Sequence, residues 1–270
     1  MKDNCSIGLL DSGVGGLSVL SELYKIMPNK NYIFFGDTKN VPYGTKSGGE
    51  IFNLTKNILE YFISRNVRNV VFACNTTSAV AYDELKNYFQ DKIKIFPLIQ
   101  SVAPSAIEGL KDGDTIAILA TKATINSKKY ETEIKKYNPK INVVGIDCTG
   151  FVEIVENRLY NDPASIELIK SKLDIAQKNN AKRIVMGCTH YPYLENIFKS
   201  ILDVEYFNPA QSLAQIVKKE LGENETTSKL EFCVSKNPDE FILSAKTFFN
   251  VQKASLVELW LFLELIQVLE

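Results

Sequence analysis

Apolar runs of four to six residues recur along this chain, separated by longer stretches with helical spacing that carry Lys and Glu. The runs lie at 6–10, 31–36, 68–73, 93–96, 115–119, 141–146, 182–187, 204–207 and 230–234. Short apolar runs bounded by turn residues read as strands buried on both faces, the mark of a parallel sheet. The stretches 50–65, 78–90, 126–137, 150–160 and 163–179 read as helices. Strand–helix alternation of this kind predicts an α/β protein with helices covering the sheets. The last apolar stretch, Leu256–Ile266, is too short and too often broken by Glu to span a bilayer, and reads as a docked terminal element or a subunit contact.

The two halves of the chain resemble each other. Ile7-Gly8-Leu9-Leu10-Asp11-Ser12 opens the first and Ile116-Ala117-Ile118-Leu119-Ala120-Thr121 opens the second. Each opening is followed, about 65 to 70 residues later, by an apolar run ending in a cysteine. The pattern predicts a duplicated unit: two similar lobes, each a mostly parallel sheet flanked by helices, related by a pseudo-twofold with a site between them. The boundary falls near Phe96-Pro97-Leu98. Residues 210–250 are expected to return to the first lobe, so that 1–97 plus 209–270 form one lobe and 98–208 the other.

Candidate chemistry concentrates at the ends of these runs. Val70-Val71-Phe72-Ala73-Cys74-Asn75-Thr76-Thr77 and Ile184-Val185-Met186-Gly187-Cys188-Thr189-His190 share one plan: apolar run, small residue, cysteine, small polar cluster. Open α/β sheets bind ligands where their strands end. Two such edges place one thiol on either side of a substrate, as a two-base racemase requires. A thiol at a helix N-terminus is also expected to favour its thiolate. His190 follows Cys188 by two residues, which suits an acid/base or orienting partner, or a Cys–His nucleophilic pair. Asp11-Ser12-Gly13-Val14-Gly15-Gly16-Leu17 is a glycine-rich turn, but Ser18 stands where a dinucleotide fingerprint needs Gly. Asp11 reads either as a helix cap or as a carboxylate acting on substrate or thiol. Val41-Pro42-Tyr43-Gly44 is a turn by composition, and Thr121 and Thr124 are strand-end hydroxyls able to bind an anion.

Charge and cysteine usage narrow the classes. Lys plus Arg number 31 and Asp plus Glu 32, with no basic stripe for nucleic acid. Five cysteines and an N-terminus without a signal-like apolar stretch predict reduced thiols in a cytoplasm. Cys5, Cys148 and Cys233 lack the polar cluster and read as structural. With His190 the single histidine and no Cys-x-x-Cys, no metal site is expected.

Taken together, Asp11-Ser12-Gly13-Val14-Gly15-Gly16-Leu17, Pro42-Tyr43-Gly44, Ala73-Cys74-Asn75-Thr76-Thr77 and Gly187-Cys188-Thr189-His190-Tyr191-Pro192 resemble the glutamate racemase family. The resemblance runs from about residue 6 to about residue 250. Aspartate racemases share the two-cysteine plan but typically carry a histidine after the first Cys-Asn-Thr and an acidic residue after the second Cys-Thr, where this chain has Thr77-Ser78 and His190. The resemblance implies cofactor-independent interconversion of L- and D-glutamate, supply of D-glutamate for peptidoglycan, and a homodimer. It implies that Cys74 and Cys188 serve opposite faces of the substrate, that Asp11 and His190 assist them, and that Asp37 and Glu156 lie nearby. Asp11, Ser12, Pro42, Tyr43, Gly44, Asn75, Thr76, Thr121, Thr124, Thr189 and His190 would hold the substrate. The chain departs from the family's usual residues at Glu153 and Tyr193. A Cys–His acyl-transfer hydrolase and a non-catalytic amino-acid or nucleotide-binding protein are the competing classes.

Overall fold

A computed structural model describes residues 6–222, 228–246 and 248–259. Its strands are β1 Ile7–Asp11, β2 Tyr32–Gly36, β3 Asn69–Phe72, β4 Lys94–Pro97, β5 Thr115–Ala120, β6 Asn142–Asp147, β7 Ala181–Gly187, β8 Glu205–Phe207, β9 Leu230–Val234 and β10 Ser255–Leu256. They form two sheets, ordered β10-β9-β2-β1-β3-β4 and β6-β5-β7-β8, and every pairing is parallel. The order β2-β1-β3-β4 in the first sheet repeats as β6-β5-β7-β8 in the second. The weak internal similarity therefore corresponds to a repeated topology, with β1 matching β5 and β3 matching β7.

Each sheet is buried on both faces, as its uninterrupted apolar strands require. Leu9, Phe34 and Val71 pack on one face of the six-stranded sheet beneath the helices Leu17–Ile26 and Pro209–Leu221. Leu10, Phe35, Val70 and Phe72 pack on the other, beneath Gly48–Ser64 and Tyr82–Phe89. The four-stranded sheet is sandwiched likewise, with Leu119 and Met186 against Pro163–Lys178 and Ile118 and Val185 against Leu98–Ala106 and Lys129–Tyr137.

Differences from the sequence pattern are local. The stretch 78–90 is two helices, Asn75–Val80 and Tyr82–Phe89, parted at Ala81 where the backbone leaves helical geometry. The stretch 126–137 is also divided, because Lys128 adopts a left-handed conformation with φ 53° before Lys129–Tyr137 begins. β9 joins the first sheet beside β2, and β10 extends it by a strand that periodicity did not indicate. Of the apolar C-terminal stretch, Val257 and Leu259 pack on the first sheet's core, whereas 260–270 and Cys5 lie outside the described residues.

One buried serine ties the first cysteine's strand end to its neighbour. Ser78 Oγ donates to the Cys74 carbonyl at 3.1 Å and accepts from the Leu98 N–H at 3.0 Å. Ser78→Ala strands that N–H in the interior, where an unpaired donor costs about 1–3 kcal/mol. Urea unfolding of the variant should show a loss of that size with an unchanged denaturant slope.

Candidate active site

The two cysteines lie just past the C-terminal ends of matching strands, β3 and β7. Cys74 is the N-cap of Asn75–Val80 and is 5% exposed; Cys188 precedes a 3₁₀ turn, Tyr191–Leu194, and is 7% exposed. Cys148 and Cys233 are free and buried elsewhere in the sheets.

Asp11, at the end of β1, is completely buried. Its Oδ2 accepts from the Gly13 N–H at 3.0 Å and its Oδ1 from the Thr189 hydroxyl at 3.2 Å. The carboxylate therefore shapes the glycine-rich turn and reaches the second sheet. Asp11 is not itself the N-cap of the helix that follows, a position held by Gly16, but its carboxylate also accepts from the Gly16 N–H. Ser18 adds a second bond between the sheets, donating to the Thr189 carbonyl at 3.1 Å. Gly15 lies so close that a Cβ there would collide with the side chains of Thr189 and His190. Only glycine lets the two loops meet. Ser12 is buried in the same turn.

His190 is 2% exposed, with Nδ1 3.8 Å from the Cys188 sulfur and Nε2 2.7 Å from Glu156 Oε1. Cys188 and His190 meet as the sequence spacing suggested, but through a helical-region turn at His190 rather than extended backbone. Glu156 ends the helix Phe151–Glu156. A cavity of about 190 Å³, lined by Gly13, Val41, Glu156, Lys236 and Phe241, borders this edge.

On the opposite side, Thr76, Thr121 and Thr124 form one hydroxyl cluster. Thr76 and Thr121 lie 3.0 Å apart, as do Thr121 and Thr124. Thr121 also caps Lys122–Asn126. Gly44 packs on Thr121, where a Cβ would come within 2.8 Å of the threonine Cβ. Gly44 belongs to the short turn Tyr43–Thr45, which follows a cis Val41–Pro42 bond. Tyr43 is buried and donates to Asp37 Oδ2 at 2.6 Å. Asp37 also accepts from Asn40 and, at 2.6 Å, from Ser235 just past β9. Asp37 thus anchors the 38–45 loop; its N–H donates to the Asp11 carbonyl at 2.9 Å, but its carboxylate bonds neither the thiols nor the Asp11 side chain. Asn75 accepts at Oδ1 from the Tyr130 hydroxyl at 2.7 Å.

Burial dominates the electrostatics here. It pushes the Cys74 thiol up to about 12, with the Asp11 charge adding to the effect and Thr77 opposing it. Placement at a helix N-terminus was expected to favour the thiolate. That expectation fails because the helix has only 6 residues and desolvation outweighs its dipole. Burial also raises Asp11, although the His190 charge and three hydrogen bonds oppose it. For His190 burial works against the cation, yet Cys188 and Glu156 outweigh it and hold the imidazolium well above its ordinary range. No cluster able to hold a metal ion occurs among the described residues.

The structure thus brings Asp11, Thr189, His190, Glu156 and Cys188 into one bonded group, and Thr76, Thr121, Thr124 and Gly44 into a second. Periodicity and motif did not single out Ser18, Tyr130 or Ser235. Ser18 alone left a trace, as the residue that breaks the dinucleotide pattern; the other two sit in ordinary amphipathic and strand-end positions.

The profile of the Asp/Glu/Hydantoin racemase family matches residues 20–217. The glutamate racemase of Gloeothece citriformis is 38% identical over 243 residues, 87% of this chain and 85% of that protein. The crystal structure of glutamate racemase from Francisella tularensis in complex with D-glutamate superposes with a TM-score of 0.88 at 30% identity, over 95% of this chain and 98% of that one. Glutamate racemase from Thermus thermophilus in complex with beta-chloro-D-alanine superposes with a TM-score of 0.83 at 28% identity, over 96% and 99%. A match across most of the sequence and nearly all of the fold shows that the chain belongs to the Asp/Glu/Hydantoin racemase family.

Proposed function

We propose that this chain racemises glutamate without a cofactor, exchanging the α-proton between Cys74 on one face of the substrate and Cys188 on the other. The observation that carries this reading is the placement of the two thiols at the ends of matching strands, in two sheets joined by the Asp11–Thr189 bond. The bound D-glutamate of the Francisella enzyme supports the choice of substrate. In this reading 1–97 plus 209–270 form the lobe with Cys74 and 98–208 the lobe with Cys188. A homodimer in the cytoplasm, supplying D-glutamate for peptidoglycan, goes with it.

An amino-acid α-proton is very weakly acidic. Its removal needs a desolvated base and stabilisation of the charge that builds on the carboxylate. Burial keeps Cys74 protonated in the free protein, ready to donate. Beside Cys188, the His190 ring lies 3.8 Å from the sulfur and is braced by Glu156 at 2.7 Å. Cys188 takes the α-proton as the C–H bond breaks, and Cys74 delivers its own proton to the opposite face of the carbanion. The thiols have then exchanged roles, and the other enantiomer is processed from the exchanged form. Asp11 and His190 orient the two thiols. Ser12, Asn75, Thr76, Thr121, Thr124, Thr189 and the backbone of Gly44 hold the carboxylates as neutral donors, while Pro42 and Tyr43 shape the wall and Asp37 and Glu156 support from behind. A fixed cation beside the α-carboxylate would weaken the basicity of the thiolates, whereas oriented dipoles do so less.

The chain Glu156–His190–Cys188 also suits an acyl-transfer hydrolase. That reading leaves Cys74 without a role, and a covalent acyl-enzyme trapped from an ester or amide substrate would favour it.

The deciding experiment is incubation of the protein with L-glutamate in D₂O without added cofactor. Loss of optical rotation should accompany α-deuteration; binding without deuteration would refute racemisation. Cys74→Ser and Cys188→Ser should each lower turnover by about 10²–10⁴-fold, the usual contribution of a positioned acid or base. Near-normal turnover in either variant would defeat the two-thiol scheme.

Both thiols are almost fully covered, so the lobes must part to admit substrate. Hydrogen exchange at 37–44, 74–78 and 188–192 should slow together when glutamate binds. Protection confined to one lobe would contradict a shared site.

The Cys74 proton also affects stability. The folded thiol holds its proton more tightly than the unfolded one, so its stabilising contribution is complete below 9.0 and is lost as the pH rises towards about 12. The thermal midpoint of the wild type should fall more steeply across that alkaline window than that of Cys74→Ser. Parallel curves would show that the thiol is not so held.

A further inference from the structure

Asn75 is the first residue of the helix after β3, and only 3% of it is exposed. Its Oδ1 accepts from the Tyr130 hydroxyl at 2.7 Å, while its Nδ2 has no hydrogen-bond partner among the described residues. Tyr130 is buried in the helix Lys129–Tyr137, which packs on the four-stranded sheet. Asn75 follows β3 of the six-stranded sheet, so the bond crosses between the two sheets. The residue before Tyr130 makes a second tie at the same place. Lys129 Nζ lies 2.6 Å from Asp83, on the helix Tyr82–Phe89 of the six-stranded sheet, and 3.1 Å from Glu133 on its own helix.

A carboxamide has a donor end and an acceptor end that differ little in shape, so its partners decide which way it points. A phenol hydroxyl buried as deeply as that of Tyr130 needs an acceptor for its proton, and Asn75 Oδ1 supplies one. Burial raises the Tyr130 phenol, so it remains a donor at any working pH. The NH₂ end of Asn75 is left for other partners. Asn75 lines a small cavity together with Cys188 and Thr189, the latter one of the residues assigned to the substrate.

We propose that Tyr130 is a positioning residue: by donating to Asn75 Oδ1 from the opposite sheet, it fixes the Asn75 amide with its NH₂ end, not its carbonyl, towards a substrate carboxylate. The proposal rests on the glutamate-racemase reading and deepens it. The donor is oriented only while the two sheets are together. Substrate recognition is thereby coupled to closure of the site through a residue that does not touch the substrate.

The test measures L-glutamate racemisation by the full-length wild type and four variants. Asn75→Asp keeps the shape and the acceptor for Tyr130 but turns a negative oxygen towards the carboxylate. Its kcat/KM should fall by about tenfold or more through a raised KM. Tyr130→Phe keeps the ring and should lower kcat/KM about three- to tenfold, with both limbs of the pH profile unmoved. In an Asn75→Ala background, adding Tyr130→Phe should cost less than about twofold more, because the group it orients is gone. An unchanged or lower KM in Asn75→Asp would show the carbonyl facing the substrate ammonium and overturn the proposal. So would a Tyr130→Phe loss that persists in full without the Asn75 side chain, which is the signature of packing alone. The Asn75→Asp result stands even if Tyr130→Phe fails to fold. Absence of wild-type turnover would refute the racemase reading and the proposal with it. Wild-type turnover with either overturning pattern would refute the proposal alone.

Discussion

Asp11 and Thr189 come from different sheets, and the 3.2 Å bond between them sets the distance at which the two halves of the molecule meet. A carboxylate buried this completely is tolerated only where donors converge on it. Here the donors are the Gly13 and Gly16 N–H groups of its own turn and a hydroxyl delivered by the opposite sheet. The constraint propagates. Gly15 must lack a side chain so that His190 and Thr189 can close on the turn, and Ser18 must reach the Thr189 carbonyl to hold the loop in register. Each of these residues serves the contact between the two sheets.

Around that contact a symmetric frame carries asymmetric chemistry. β3 and β7 occupy the same place in a repeated strand order, and a cysteine follows each. The surroundings of the two thiols differ. Cys74 faces the Asp11 charge in a dry setting, which favours the neutral thiol. Cys188 faces an imidazole braced by a carboxylate. Duplication supplies matched positions; divergence of neighbouring loops supplies the difference.

The mouth of the site is built by a separate set of bonds. Asp37 gathers Tyr43, Asn40 and Ser235, so the loop carrying Pro42, Tyr43 and Gly44 is fastened to the strand that returns late in the chain. Gly44 then rests on Thr121 of the other sheet, and the threonine hydroxyls share hydrogen bonds across the seam. Residues near the N-terminus, the middle and the C-terminal part of the chain thereby converge on one edge.

The sequence by itself determined the strands, the α/β class, the doubling of the unit and the two cysteine loops. These depend on apolar runs, small residues and turn formers that act within a few positions of one another, and such signals survive without knowledge of the rest of the chain. The motif residues Asp11, Cys74, Cys188 and His190 were legible for the same reason, since each stands at the end of a recognisable run. Other features were decided by the tertiary structure. Tyr130 on Asn75, Ser235 on Asp37 and Ser18 on Thr189 join residues 55, 198 and 171 positions apart. No local pattern encodes such a pair, because nothing near Tyr130, Ser235 or Ser18 in the sequence points to the distant residue it bonds until the chain folds. The protonation of Cys74 was likewise out of reach. Its place at a helix N-terminus is a local fact that favours the thiolate, whereas the burial that outweighs it comes from a core assembled from residues far apart in the chain, from Leu10 to Cys233.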